Sequence, residues 1–158
     1  MKHFSMARRA TLLLSVALLT ACASGVKLDD VNGKGGTDYS SQPWNDPKSP
    51  LFKRSVYFDF DSYAVKAEYQ ATLQAHANYL KANKDRKIKI EGNTDERGTT
   101  EYNLALGQKR AEAVRQALSL LGVPESQLEA VSYGKEKPAA QGSAESELAK
   151  NRRVEIRY

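Results

Sequence analysis

The chain has 158 residues, enough for one domain with a modest core and too few for two full ones. Its formal net charge of +5 owes much to its start: residues 1–21 hold three basic and no acidic residues, whereas Ser55–Tyr158 holds 16 basic and 15 acidic. That near balance gives no support to a nucleic-acid partner, which calls for a clustered basic face.

Lys2, Arg8 and Arg9 precede an apolar run from Ala10 to Leu19, and Leu19-Thr20-Ala21-Cys22 follows. The run is shorter than the roughly 20 residues of a membrane span and has the layout of an export signal. The only cysteine closes it. A lone cysteine in an exported chain can be a spare thiol or an intermolecular disulfide partner. Here its position resembles a bacterial lipobox, in which the thiol is lipidated, the signal is cleaved before the cysteine and the new amine is acylated. Each buried CH₂ contributes about 0.8 kcal/mol, so several acyl chains on Cys22 would anchor firmly without a transmembrane helix. Ala23, in place of Asp, resembles the residue that permits sorting to the outer membrane of Gram-negative bacteria. Residues 1–21 are thus expected to be a signal peptide.

Residues 22–54 are expected to form the lipidated N-terminus and a flexible tether. The stretch is rich in Gly, Ser, Asp and Lys, holds three of the five prolines and shows no apolar periodicity. A coil of this length spans about 30 Å on average and reaches roughly 100 Å when extended.

From residue 55 the pattern becomes regular. Ser55–Phe60 is β-rich and alternating, which predicts a strand. Val65, Tyr69, Leu73, Ala77 and Leu80 recur at helical spacing through Ala82, and Lys87–Glu91 alternates again. Gly92–Gly98 is a polar loop. Thr100–Leu121 is a long helix, with Gly122 and Pro124 as its stop signals. Leu128–Tyr133 follows as a strand, Ser143–Asn151 as a shorter helix and Arg153–Tyr158 as a final strand. Interleaved elements with half-polar strands predict a single α/β domain over residues 55–158, a two-layer sandwich of one mixed four-stranded sheet with helices on one face.

Arg110 breaks the apolar stripe of the long helix, Leu106, Arg110, Val114, Leu118 and Leu121. Burying a guanidinium costs several kcal/mol without compensation, so Arg110 is expected to be paired, bound to a ligand or out of register. Asp95 in the preceding loop is the partner singled out. Two arrangements stay open: a plain Asp95–Arg110 salt bridge closing the loop, or a clamp for both ends of an amino acid. In the clamp Asp95 takes an ammonium, while Arg110 and the free N–H groups near Gly98 and Thr99 take a carboxylate. Asn103 and Leu106 lie beside the same place. Asp61, at the end of the first strand, can either cap the helix starting near Tyr63 or face the ligand.

Other candidates are weaker. His76 has no partner at metal-ligand spacing, and His3 lies in the signal, so no metal site or cofactor is expected. Asp95 and Glu96 could be imagined as an acid and base, yet adjacent side chains diverge, and no Ser-His, Cys-His or zinc constellation supports an enzyme. The Asn151-Arg152-Arg153 cluster is either a solvated surface, its default reading, or a second wall of the pocket.

Five ordered motifs carry a family resemblance over Ser55–Tyr158. They are Tyr57-Phe-Asp-Phe-Asp-Ser-Tyr63, Glu91-Gly-Asn-Thr-Asp-Glu-Arg-Gly-Thr99, Glu101-Tyr-Asn-Leu-Ala-Leu-Gly-Gln-Lys-Arg-Ala111, Val131-Ser-Tyr-Gly-Lys-Glu-Lys-Pro138 and Lys150-Asn-Arg-Arg153. Together with the lipobox and tether they resemble wall-binding lipoproteins of the OmpA C-terminal-like family. Ser62, Lys109 and the loop Ala140–Glu145 depart from the usual pattern.

The resemblance implies non-covalent binding of peptidoglycan through the meso-diaminopimelate of its stem peptide. It implies a pocket of Phe60, Asp61, Asp95, Arg97, Asn103, Leu106 and Arg110, with Asp95 and Arg110 as main determinants. It further implies a lipid-anchored protein of the outer membrane with its domain in the periplasm. TolB and other Tol proteins would be its partners, in a system that supports envelope integrity and cell division. The alternative is a wall-binding lipoprotein of the same family without a Tol partner.

Overall fold

The computed structural model describes residues 42–158; the signal, Cys22 and the tether as far as residue 41 lie outside the described residues. Four strands form one mixed sheet: β1 (Ser55–Tyr57), β2 (Ile88–Asn93), β3 (Leu128–Gly134) and β4 (Arg153–Arg157), in the order β1-β4-β2-β3. β4 runs antiparallel to both its neighbours, while β2 and β3 are parallel. Three helices, α1 (Gln70–Ala82), α2 (Thr100–Leu120) and α3 (Glu145–Asn151), interleave with them.

Strand alternation sets the two faces. Val56, Ile88, Ile90, Val154 and Ile156 form one core with Leu73, Ala77 and Leu80 of α1 and Ala111, Val114 and Leu118 of α2. The opposite face keeps charges, which pair among themselves: Arg153 with Glu155 at 2.6 Å, Arg157 with Glu155 at 2.5 Å and with Glu91 at 3.4 Å. Gln127 closes the end of α1, its amide donating to the carbonyls of Leu80, Asn83 and Arg86 at 3.1, 3.0 and 2.7 Å.

α2 crosses β2 at backbone contact. A Cβ at Gly92 would stand 1.9 Å from the Gly107 carbonyl oxygen, and one at Gly107 would stand 2.3 Å from Ser132 Oγ. Two glycines facing each other let the helix approach that closely. The same approach lets Arg110, one turn further along the helix, reach the end of β2.

Several element boundaries differ from the sequence reading. β1 stops at Tyr57: Phe58 N–H makes one more bond in register, to the Arg152 carbonyl at 2.9 Å, and the chain then turns at Asp61, which has φ of 55°. The first helix begins with a 3-10 turn at Ala67–Tyr69, since the backbone before it is still extended at Lys66. β2 runs on through Gly92 and Asn93, read from sequence as loop, because they pair with Ser132 and Gly134 across a register irregularity.

The end of the expected tether packs on the domain. Trp44 and Leu51 are buried. Trp44 stacks on Tyr158 with centroids 4.3 Å apart and meets the Tyr79 ring edge-on at 5.8 Å. A 3-10 turn at Pro50–Phe52 is capped by Ser49. Beneath it His76 is held between the Tyr158 hydroxyl at 2.7 Å and the Lys53 carbonyl at 2.9 Å. A carbonyl only accepts, so the neutral ring carries its proton on Nε2 and accepts the Tyr158 hydroxyl at Nδ1.

Candidate functional site

The site lies where β1 and β2 end, α2 begins and β4 is entered. Thr99 caps α2, its Oγ1 accepting from Tyr102 N–H at 3.2 Å. Asn103, one turn into the helix, donates to the carbonyls of Arg97 and Thr99 at 2.8 and 3.0 Å. It thereby ties the loop down onto its own helix. Gly98 turns the loop with φ of 92°, a left-handed conformation suited to glycine, and its carbonyl accepts from Lys135 at 2.9 Å.

Arg110 is fully buried, and its hydrogen bonds are not those of an Asp95–Arg110 salt bridge, one of the two arrangements open from the sequence. Nε donates to the Ser62 carbonyl at 2.8 Å, Nη1 to the Asn93 carbonyl at 2.9 Å and Nη2 to the Asp59 carbonyl at 3.1 Å. Its guanidinium also lies 5.2 Å from the Phe58 ring centre. Peptide carbonyls, not the Asp95 carboxylate, supply its contacts. Burial pushes the guanidinium down to about 10 and the nearby Asp95 charge opposes that, so Arg110 stays protonated at neutral pH.

Asp95 is buried and meets two arginines, the buried Arg152 and the exposed Arg97. Arg97 Nη2 meets its Oδ2 at 2.6 Å and Arg152 Nη1 meets the same oxygen at 3.1 Å. Oδ1 accepts the Arg97 backbone N–H at 3.1 Å and Arg97 Nε at 3.3 Å. Burial by itself would raise this carboxyl; the hydrogen bonds from Arg97 and Arg152 outweigh it and hold the group below the usual carboxylate range. Glu96 points elsewhere, accepting the Ser143 hydroxyl at 2.7 Å.

Arg152 continues from Asp95 to the Glu145 carboxylate at 2.5 Å and the Phe58 carbonyl at 3.2 Å. The Asn151-Arg152-Arg153 cluster is therefore no solvated surface: all three residues are buried. Asn151 pins the preceding loop through Ala139 and Ala140, at 2.7 and 2.9 Å, and Arg153 turns to Glu155. Only Arg152 forms the second wall. Asp61 caps no helix, since the nearest one starts at Ala67; its carboxylate accepts the Tyr102 hydroxyl.

Phe60, Asp61, Asp95, Arg97, Asn103, Leu106 and Arg110 all line one cavity of about 160 Å³. Thr94, Gly98, Tyr102 and Arg152 complete the wall. Tyr102 and Thr94 carried no pattern in the sequence; their place follows from α2 beginning beside Asp61 and from Thr94 N–H bonding the Gly134 carbonyl at 2.9 Å. A cavity of roughly 150 Å³ takes a benzene-sized group, so this one has room for one end of an amino acid. Three guanidinium groups and two carboxylates surround an apolar patch of Leu106 and Phe60, a lining that suits a small zwitterion with an aliphatic stem. Among the described residues no group of three or more His, Cys, Asp or Glu is placed to hold a metal.

The OmpA family model matches residues 57–152 of the chain. The peptidoglycan-associated lipoprotein of Pasteurella multocida is 47% identical over 144 residues, covering 91% of this chain and 92% of that one. A crystal structure of the peptidoglycan-associated lipoprotein from Burkholderia pseudomallei is 68% identical and superposes with a TM-score of 0.72, covering 74% of this chain and 99% of the other. The C-terminal domain of Helicobacter pylori MotB is 28% identical with a TM-score of 0.60, over 65% of this chain and 81% of that domain.

Proposed function

The chain belongs to the OmpA family, and from that footing we propose that it is a lipoprotein that holds peptidoglycan non-covalently and ties the outer membrane to the cell wall. The ligand is the meso-diaminopimelate of the stem peptide. One observation carries this reading: a buried carboxylate, three guanidinium groups and the Leu106 side chain converge on one small cavity. The distal end of diaminopimelate offers an ammonium, a carboxylate and a methylene stem, which match those three features.

In this reading Asp95 receives the ammonium, and Arg152 keeps that carboxylate ionised and in place. Arg110 spends three N–H groups on carbonyls, and a guanidinium has five, so two remain for the ligand carboxylate at the cavity floor. Leu106 and Phe60 cover the stem. The acyl chains on Cys22 hold the other end of the molecule, and the tether spans the gap. Because the wall repeats the ligand near a tethered domain, modest affinity at each site suffices. The names of the relatives support a wall-binding lipoprotein, and the same relationship leads us to propose TolB as a partner that competes with the wall for the domain, in support of envelope integrity and cell division.

Co-sedimentation with purified peptidoglycan tests the wall reading: the wild type pellets, and folded Asp95→Asn stays in the supernatant. Equal pelleting of both would refute it. A pull-down with TolB, repeated with added peptidoglycan, tests the partner; absence of any capture leaves a wall-binding lipoprotein without a Tol partner.

A further inference from the structure

We propose that Arg97 is the resident counter-cation of Asp95 in the free protein, and that a ligand's ammonium takes the carboxylate by displacing the Arg97 guanidinium toward Glu145. The inference rests on the reading of the cavity as an amine-binding site and adds how the site discriminates.

A carboxylate has about four lone-pair positions. Those of Asp95 receive Arg97 Nη2, Arg152 Nη1, Arg97 Nε and the Arg97 backbone N–H, at 2.6, 3.1, 3.3 and 3.1 Å. An arriving ammonium therefore replaces a donor already in place. Arg152 cannot leave cheaply: its side chain is 7% exposed and also holds Glu145 and the Phe58 carbonyl. The backbone N–H is fixed by the loop. The Arg97 side chain is 41% exposed, so its charge can return to water.

A second position for it already exists. Glu145 Oε2 lies 3.7 Å from the same Arg97 Nη2, and the Glu145 side chain is 65% exposed. The Phe60 ring, 4.1 Å from the Arg97 guanidinium carbon, keeps the displaced group near the mouth through cation–π attraction. The step is an exchange of one cation for another on a buried anion. A neutral amide in place of the ammonium could not repay the lost ion pair, so the site distinguishes a free amine from an acylated one.

The test is titration calorimetry with the tripeptide L-alanyl-γ-D-glutamyl-meso-diaminopimelate and its form acetylated on the distal amine. Wild type is compared with Arg97→Ala, Arg97→Gln and the charge control Lys89→Ala, an exposed lysine near the start of β2 that does not line the cavity. Removing a partly exposed competing pair should tighten binding of the free amine roughly two- to tenfold in both Arg97 variants. Lys89→Ala should change it by less than about twofold, and the acetylated peptide should gain nothing. Arg97 variants that bind the free amine no better than wild type overturn the displacement, as does an equal gain in Lys89→Ala. If the wild type ignores both peptides, the amine-site reading itself falls, and the displacement with it.

Discussion

Arg152 and Asp95 form a buried ion pair, Nη1 to Oδ2 at 3.1 Å, with side chains only 7% and 5% exposed. The pair joins the entrance of β4 to the loop after β2, so the orientation of the carboxylate is built into the fold. Stranding one member of a buried pair costs about 3 to 5 kcal/mol. Arg152 has two further acceptors, which lowers the cost for loss of Asp95 alone.

Asp95→Asn should therefore destabilise the domain by about 2 kcal/mol while leaving it folded. Urea unfolding measures this, and the same preparation serves for wall binding. A loss of binding with a native circular dichroism spectrum separates the role of the charge from that of the fold.

The depressed Asp95 carboxyl gives a pH signature. Its contribution to stability is complete above the unfolded-state value of about 3.9 and is lost as pH falls from there through the lower folded value. The wild type should lose stability across that acid range more steeply than Asp95→Asn, and the two curves should run parallel between about pH 5 and 8. Parallel curves down to pH 2 would show that the pair adds nothing.

Arg110 should behave differently. Arg110→Leu leaves the buried Asn93 carbonyl and the part-buried Asp59 and Ser62 carbonyls without their donor; a buried acceptor so orphaned costs about 1 to 3 kcal/mol and a part-buried one less. A total loss of about 2 to 4 kcal/mol in urea unfolding is expected, with Arg110→Lys in between. Loss of wall binding in Arg110→Leu is therefore not by itself a test of ligand contact. The structural role of Arg110 is compatible with the proposed ligand contact.

The contrast shows what a single sequence makes legible. The stripe around Arg110, the alternating strands and the stop signals at Gly122 and Pro124 are local, and they locate the helix, the loop and the cavity floor. The acceptors of Arg110 come from Asp59, Ser62 and Asn93, which meet only when the chain after β1 folds back over the end of β2. No local pattern encodes that meeting, and a carbonyl has no residue type to betray it. Arg152 was similarly ambiguous, because a basic tripeptide reads as surface until β4 is known to enter beside Asp95. Trp44 was hidden for the opposite reason: it stands alone in polar sequence, and its partners Tyr79 and Tyr158 lie far along the chain.

Gly92→Ala should be the most damaging small substitution, because the new Cβ would overlap the Gly107 backbone at 1.9 Å. Overpacking of this kind usually costs about 1 to 3 kcal/mol, and here no side chain can move aside, so the upper end or beyond is expected. Gly107→Ala should cost less, since its first obstacle is the Ser132 hydroxyl, which can rotate. Thermal melts of the two variants give the order.

Trp44→Ala should cost about 3 kcal/mol, the usual range for a buried large aromatic. A chain starting at residue 55, which lacks the buried Trp44 and Leu51, should melt at a lower temperature than one starting at residue 42. Trp44 is the only tryptophan in the chain, so its fluorescence reports this packing directly.

The most direct measurement is a set of intermolecular NMR contacts between the non-lipidated chain and the diaminopimelate tripeptide. The site described here predicts contacts from the distal methylenes to Leu106 and Phe60, with amide shifts concentrated at Asp95–Gly98. Saturating shifts confined to other surfaces, with Leu106 and the 95–98 loop unmoved, would contradict it.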